Sequence, residues 1–167
     1  RPLLTQIQSL VVKSSLGTPR RAVVGVDSGR LSLIIAVLEA RCNISFSSHD
    51  IYINVAGGLK VSEPGADLAV ATAILSSLYN FPSPSNCVIF GEIGLSAEIR
   101  SIGHMEARLK EASKLGFKHA LVPKRKPDTK KLKVLPEINI QEISDLHMLV
   151  NIFTEPTNTN VLASGKP

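Results

Sequence analysis

The 167-residue sequence contains no tryptophan, and aromatic residues make up only 4% of it. Its two cysteines, Cys42 and Cys87, are far apart and belong to no CxxC pair, which argues against a disulfide framework or a zinc ribbon. Four scattered histidines show no ligand spacing; they are His49, His104, His119 and His147. The cysteines and histidines therefore predict a reduced domain without a metal site.

Long apolar runs and common catalytic motifs are also missing. The longest apolar stretches, residues 31–38 and 68–75, are interrupted by serine or threonine and fall far short of the roughly 20 residues that cross a bilayer. No GxxxxGK[ST] loop is present, and the glycines at 57 and 58 lack the spacing that wraps a phosphate. GxSxG and HExxH motifs are absent as well. No membrane span is predicted, and the chain alone is not expected to hydrolyse ATP.

The residues that are present predict a globular domain. Apolar residues make up 44% of the chain and charged residues 20%, with a mean hydropathy of +0.16, so a substantial core can be buried. We expect one domain over residues 1–153, followed by a polar stretch over 154–167 whose composition predicts a disordered tail. The opening Arg1-Pro2, without methionine, predicts that the chain is a piece of a longer protein.

Apolar periodicity predicts helices mixed with strands, which is typical of an α+β or α/β domain. Strands are predicted over residues 3–12, 51–55, 87–90, 98–102, 119–122 and 138–143. Helices are predicted over residues 30–41, 66–79, 104–115 and from Ser144 or Asp145 to 153, the first capped by Asp27 or Ser28. The strand over 98–102 is expected to return as the hairpin partner of 87–90.

The formal charge of +5 is concentrated in one segment. Residues 124–133 carry six basic residues and one acid, whereas the rest of the chain carries 13 of each. The basic residues of this segment are Lys124, Arg125, Lys126, Lys130, Lys131 and Lys133. Such a loop either contacts DNA phosphates without reading sequence or is simply solvated.

Other basic residues are weaker candidates for phosphate contacts. They are Arg20, Arg21 and Arg30, together with Lys110, Lys114 and Lys118. Because aromatic side chains that stack on single-stranded bases are scarce, double-stranded DNA is the favoured partner.

Two long strings carry a family resemblance. VAGGLKVSEPGADLAVATAILSSL and GEIGLSAEIRSIGHMEARLKEASKLGFKHALVP resemble the C-terminal domain of the RadA (Sms) family of bacterial DNA repair proteins. That domain is similar to the proteolytic domain of Lon, and the likeness covers nearly all of residues 1–153. It implies an α+β, Lon proteolytic-domain-like fold (ribosomal protein S5 domain 2-like), a mixed sheet with packed helices.

The resemblance also implies where a Lon-type Ser-Lys dyad would lie. Gly65 occupies the serine position and Arg108 the lysine position, so the nucleophile is missing and the base is a permanently charged guanidinium. A relocated dyad of Ser62 with Lys60 is a remote alternative, since Ser62 has a simpler role in capping the following helix. Arg108 is expected to pair with Asp67 or Glu92, or to lie at a subunit contact.

Family membership implies a larger protein with an N-terminal zinc finger, a RecA-like ATPase bearing a KNRFG motif, and this domain. ATP and zinc are then expected only in those other parts, with no cofactor in this chain. The resemblance implies a hexameric ring that promotes branch migration, in which this domain is a noncatalytic scaffold that binds DNA. The alternative is a residual Ser-Lys-type peptidase. A bacterial cytoplasmic location is expected, or else an organelle of bacterial ancestry.

Overall fold

The computed structural model describes residues 4–15, 17–125 and 137–155. The strands of this part are β1 (Ile7–Lys13), β2 (Arg21–Val24), β3 (His49–Val55), β4 (Cys87–Ile89), β5 (Glu92–Ile93), β6 (Ile99–Arg100), β7 (His119–Pro123) and β8 (Asn139–Ile143). The α-helices are α1 (Ser28–Cys42), α2 (Asp67–Leu78), α3 (Met105–Lys114) and α4 (Leu146–Thr154). This mixture of strands and helices agrees with the predicted α+β class.

The first sheet has the strand order β1-β3-β2, with β3 in the centre. β3 is antiparallel to β1 and parallel to β2. Alternate residues of these strands, including Val11, Ile51 and Ile53, are buried in one cluster with the apolar side chains of α1 and α2. The sheet therefore has one face against the helices, while side chains such as Leu10 and Val24 on the opposite face are exposed.

Helices α1 and α2 follow the predicted segments closely. The Asp27 side chain accepts a hydrogen bond from the Arg30 backbone N–H and so caps α1, which confirms one of the two predicted caps. Asn43 ends α1 in the left-handed conformation. α2 buries apolar residues on several sides, and its one buried hydroxyl, on Thr72, donates to the Leu68 carbonyl oxygen at 2.7 Å. α2 is thus the central helix that its composition predicts.

The second sheet contains three parallel strands in the order β4-β7-β8. It separates two cores, because Leu121 of β7 belongs to the large cluster while its neighbours Ala120 and Val122 belong to a smaller one. The smaller cluster lies under α3. Its buried members are Val88, Phe90, Leu109, Ala112, Ala120, Val122 and Ile138.

The predicted hairpin between residues 87–90 and 98–102 is wrong. β4 pairs with β7, and β6 pairs instead with the two residues of β5. Gly91 explains the difference: its N–H donates to the Gly65 carbonyl oxygen at 2.8 Å, and its own carbonyl accepts the Leu68 N–H at 3.0 Å. These bonds draw the chain away from β4 towards the start of α2, so the hairpin begins only after Gly91.

The last helix, α4, is attached to the end of α1 through His147. The Asp145 side chain caps α4 by accepting the His147 backbone N–H at 2.7 Å, and it also contacts the imidazole Nδ1. The imidazole Nε2 lies 2.7 Å from the carbonyl oxygen of Arg41. The hydrogen bond with Asp145 raises the pKa of His147. A protonated imidazole can donate at both nitrogens and so link the two helix ends.

We expect His147 to make stability depend on pH. Because the pKa of His147 is raised in the folded state, its protonated form stabilises the fold. This stabilisation is fully present below the ordinary histidine pKa of about 6.5, and it is lost as pH rises through the pKa of His147 in the folded protein. The urea midpoint should therefore fall between pH 6 and pH 8, and His147→Gln should flatten that fall. An equal fall in the variant would show that the dependence arises elsewhere.

No helix in the described ranges combines the length and the apolar character needed to cross a bilayer. The predicted tail begins at residue 154, and residues 156–167 lie outside the described part of the chain.

Candidate functional site

The turn that leads into α2 contains Gly65, at the position where the family resemblance places the Lon serine. Pro64–Ala66 forms one turn of 3-10 helix, and Gly65 is buried within it. A Cβ atom built on Gly65 would lie 2.8 Å from Cδ1 and 3.4 Å from Cγ2 of Ile102. A serine at this position requires the end of the Ile102 side chain to shift, and Gly65 itself supplies no hydroxyl.

Arg108, at the lysine position, lies on α3 and is held by three groups. Its Nη2 lies 2.9 Å from Oε1 of Glu63, and its Nε donates to the Gly103 carbonyl oxygen at 3.2 Å. Its Cζ lies 5.8 Å from the centroid of the Phe90 ring, in cation–π range. The predicted pairing of Arg108 with Asp67 or Glu92 is wrong, and its partner is Glu63.

The structure brings the two dyad positions together around one carboxylate oxygen. Glu63 Oε1, which binds Arg108, would lie 3.2 Å from a Cβ on Gly65. A Ser-Lys mechanism needs a hydroxyl and a neutral amine at such a place. Here the same space holds an arginine–glutamate ion pair. The guanidinium cannot accept a proton, and Gly65 offers no hydroxyl for the Glu63 carboxylate to activate.

The alternative dyad of Ser62 and Lys60 receives no support from the surroundings of these residues. Both are exposed to solvent, whereas a neutral lysine amine in a protein arises through burial or neighbouring charge. The predicted capping role of Ser62 is also wrong, because Glu63 occupies the N-cap position and makes no side-chain capping bond there.

A buried ion pair joins α1 to α2 beside this turn. Asp67 is only 2% exposed, and its carboxylate meets the Arg30 guanidinium through both oxygens, with Nε to Oδ1 at 3.2 Å. Oδ2 also accepts the Ile93 backbone N–H at 3.1 Å. The hydrogen bond with Asp67 raises the pKa of Arg30, which stays charged. Arg30, a candidate for phosphate contacts, therefore has its guanidinium directed to an internal carboxylate.

Sequence reasoning missed this pair because its members lie 37 residues apart. The available signal was an aspartate in the first turn of a helix whose other residues are nearly all apolar. Such a carboxylate, once buried, requires a charged or hydrogen-bonded partner.

The neighbouring candidates Arg20 and Arg21 stabilise the start of β2. The Arg21 guanidinium donates to the carbonyl oxygens of Phe46, at 2.9 Å, and His49. The Arg20 backbone N–H donates to Asp50 Oδ1 at 2.7 Å. The Arg20 residue as a whole is exposed, so its side chain extends into solvent at this end of the sheet.

The start of the basic segment is anchored to β8. Arg125 contacts the Glu142 carboxylate through Nε at 3.3 Å and Nη2 at 3.2 Å, and its backbone N–H donates to the other oxygen at 3.0 Å. Lys124 is exposed. The other basic residues of the segment lie outside the described residues; they are Lys126, Lys130, Lys131 and Lys133. Glu142 therefore neutralises the charge of Arg125, and the contacts between them hold the start of the basic segment against β8.

The remaining weak candidates belong to α3 and the residues after it. Lys110 pairs with Glu106 at 3.2 Å, one helical turn away, and both side chains are about half exposed. Lys114 and Lys118 are exposed. The structure therefore places these three lysines on a solvated surface of α3 and the residues that follow it.

The two cysteine thiols are poor nucleophiles. Burial raises the pKa of Cys87 to about 12, and burial also raises the pKa of Cys42. Both thiols therefore stay protonated near neutral pH. Within the described ranges, no cluster of three or more His, Cys, Asp or Glu residues has the geometry to hold a metal ion.

A comparison with protein-family models identifies the family of the chain. The family model described as "Subunit ChlI of Mg-chelatase" matches residues 12–126, which is more than half of the chain. The chain belongs to this family.

Three similar proteins share one name. The chain is 58% identical over 123 residues to the DNA repair protein RadA of Brucella abortus, a match that covers 74% of this chain and 26% of that protein. It is 46% identical over 143 residues to RadA of Aquifex aeolicus, covering 85% and 32% respectively. It is 43% identical over 146 residues to RadA of Rickettsia prowazekii, covering 87% and 33%.

These matches confirm the resemblance to the RadA family of DNA repair proteins, and they fit a RadA C-terminal region. The chain spans about a quarter to a third of the length of these relatives.

Proposed function

We propose that this chain is a noncatalytic scaffold and DNA-binding domain of a larger RadA-like protein that acts in ATP-dependent recombination and repair by branch migration. The observation that carries the noncatalytic assignment is the meeting of Gly65 and Arg108 around Glu63. A site with no nucleophile and no neutral base cannot perform Ser-Lys chemistry. The name of the relatives, DNA repair protein RadA, supports a role in DNA repair.

The proposed fold is the Lon proteolytic-domain-like fold. Its support is that the two positions assigned by resemblance, which are distant in sequence, lie near the same carboxylate oxygen: Glu63 Oε1 is 2.9 Å from Arg108 Nη2 and would be 3.2 Å from a Cβ on Gly65. One position lies at the start of the central helix α2, and the other lies on the helix that follows the β5–β6 hairpin. This order of elements is the one that the resemblance implies.

The proposed DNA contact uses the lysines of the basic segment. Arg125 is paired with Glu142, so phosphate binding falls to Lys124 and to the lysines that follow it. Lysine contacts to phosphates bind duplex DNA without regard to sequence. In this proposal ATP and zinc belong to other parts of the larger protein, which forms a hexameric ring in the bacterial cytoplasm or in an organelle of bacterial ancestry.

The salt dependence of duplex binding tests the DNA assignment. Replacing the five lysines at 124, 126, 130, 131 and 133 by alanine should weaken binding at low salt. It should also reduce the slope of log K against log salt by about 0.9 for each phosphate that the variant no longer neutralises. Arg125→Gln is the matched control, because its guanidinium is already paired, and it should leave the slope unchanged. An unchanged slope in the five-lysine variant would remove this segment from the interface.

A peptidase assay tests the noncatalytic assignment. The folded chain should cleave neither unfolded casein nor a mixture of fluorogenic peptides above the buffer rate. Ser62→Ala is the informative variant, because it removes the hydroxyl of the alternative dyad. Turnover in the parent that disappears in Ser62→Ala would establish a residual Ser-Lys-type peptidase.

A further inference from the structure

We draw no further inference here: the strongest candidate, the open apolar face of the first sheet around Leu10, Val24 and Tyr52, carries none because nothing in the described part of the structure shows what covers it.

Discussion

Replacing Asp67 by alanine is expected to lower the free energy of unfolding by about 3 kcal/mol, because the Arg30 guanidinium then loses its buried counter-charge. The value lies at the lower end of the range for broken buried pairs, since the Arg30 side chain is 25% exposed and water can partly solvate it. The Ile93 backbone N–H also loses its acceptor. Urea unfolding followed by circular dichroism measures the change.

Glu106→Ala provides the matched control for Asp67→Ala. It breaks the exposed pair with Lys110 and should cost no more than about 0.5 kcal/mol. The double variant Arg30→Met and Asp67→Leu should recover much of the loss, because neither charge is then left alone. A loss for Asp67→Ala as small as that for Glu106→Ala would show that the pair contributes little to stability.

Gly25→Ala is expected to destabilise the domain by a similar amount, about 3 kcal/mol, through backbone strain and overpacking. Gly25 has a φ of +90°, a conformation that alanine rarely adopts. An added Cβ would lie 2.5 Å from the backbone oxygen of Leu59 and 2.7 Å from Cβ of Val55. Neither atom can turn aside as the end of a flexible side chain would, so the backbone must shift.

Gly57→Ala is the control that distinguishes the two causes of destabilisation in Gly25→Ala, which are backbone strain and steric crowding. Gly57 has a φ of +77°, but no atom lies within 4 Å of an added Cβ. It should cost only about 1 kcal/mol, as expected for strain without a clash. Thermal unfolding of both variants makes the comparison. Equal losses at the two positions would mean that crowding against Leu59 and Val55 does not contribute.

The elements that local chemistry determines could be predicted from the sequence. The Asp27 cap defines the start of α1, and the uniformly apolar composition of α2 predicts its central position. Gly116, with a φ of +91°, follows the end of α3, where a glycine is a common helix stop that a sequence reveals. In each case the signal lies within a few residues of its effect, so it can be recognised without knowledge of the fold.

The contacts that depend on distant segments could not be predicted. Arg108 pairs with Glu63 and not with Asp67, which was one of the predicted partners. Asp67 is already paired with Arg30, and this competition for the carboxylate is visible only in the folded structure. The parallel pairing of β4 with β7 likewise joins segments that are distant in sequence. The candidate site was predicted as two positions in sequence, whereas the carboxylate between them emerged from the structure.

The pairing of arginines with carboxylates has a consequence for how the domain meets a polyanion in solution. Arg30, Arg108 and Arg125 each lie beside an acid, at Asp67, Glu63 and Glu142 respectively. Seen from more than a Debye length, which is about 8 Å at physiological salt, each pair acts as a small dipole whose field fades quickly. Long-range attraction for anions therefore originates mainly from exposed basic residues such as Lys124 and Arg20, rather than from the paired arginines.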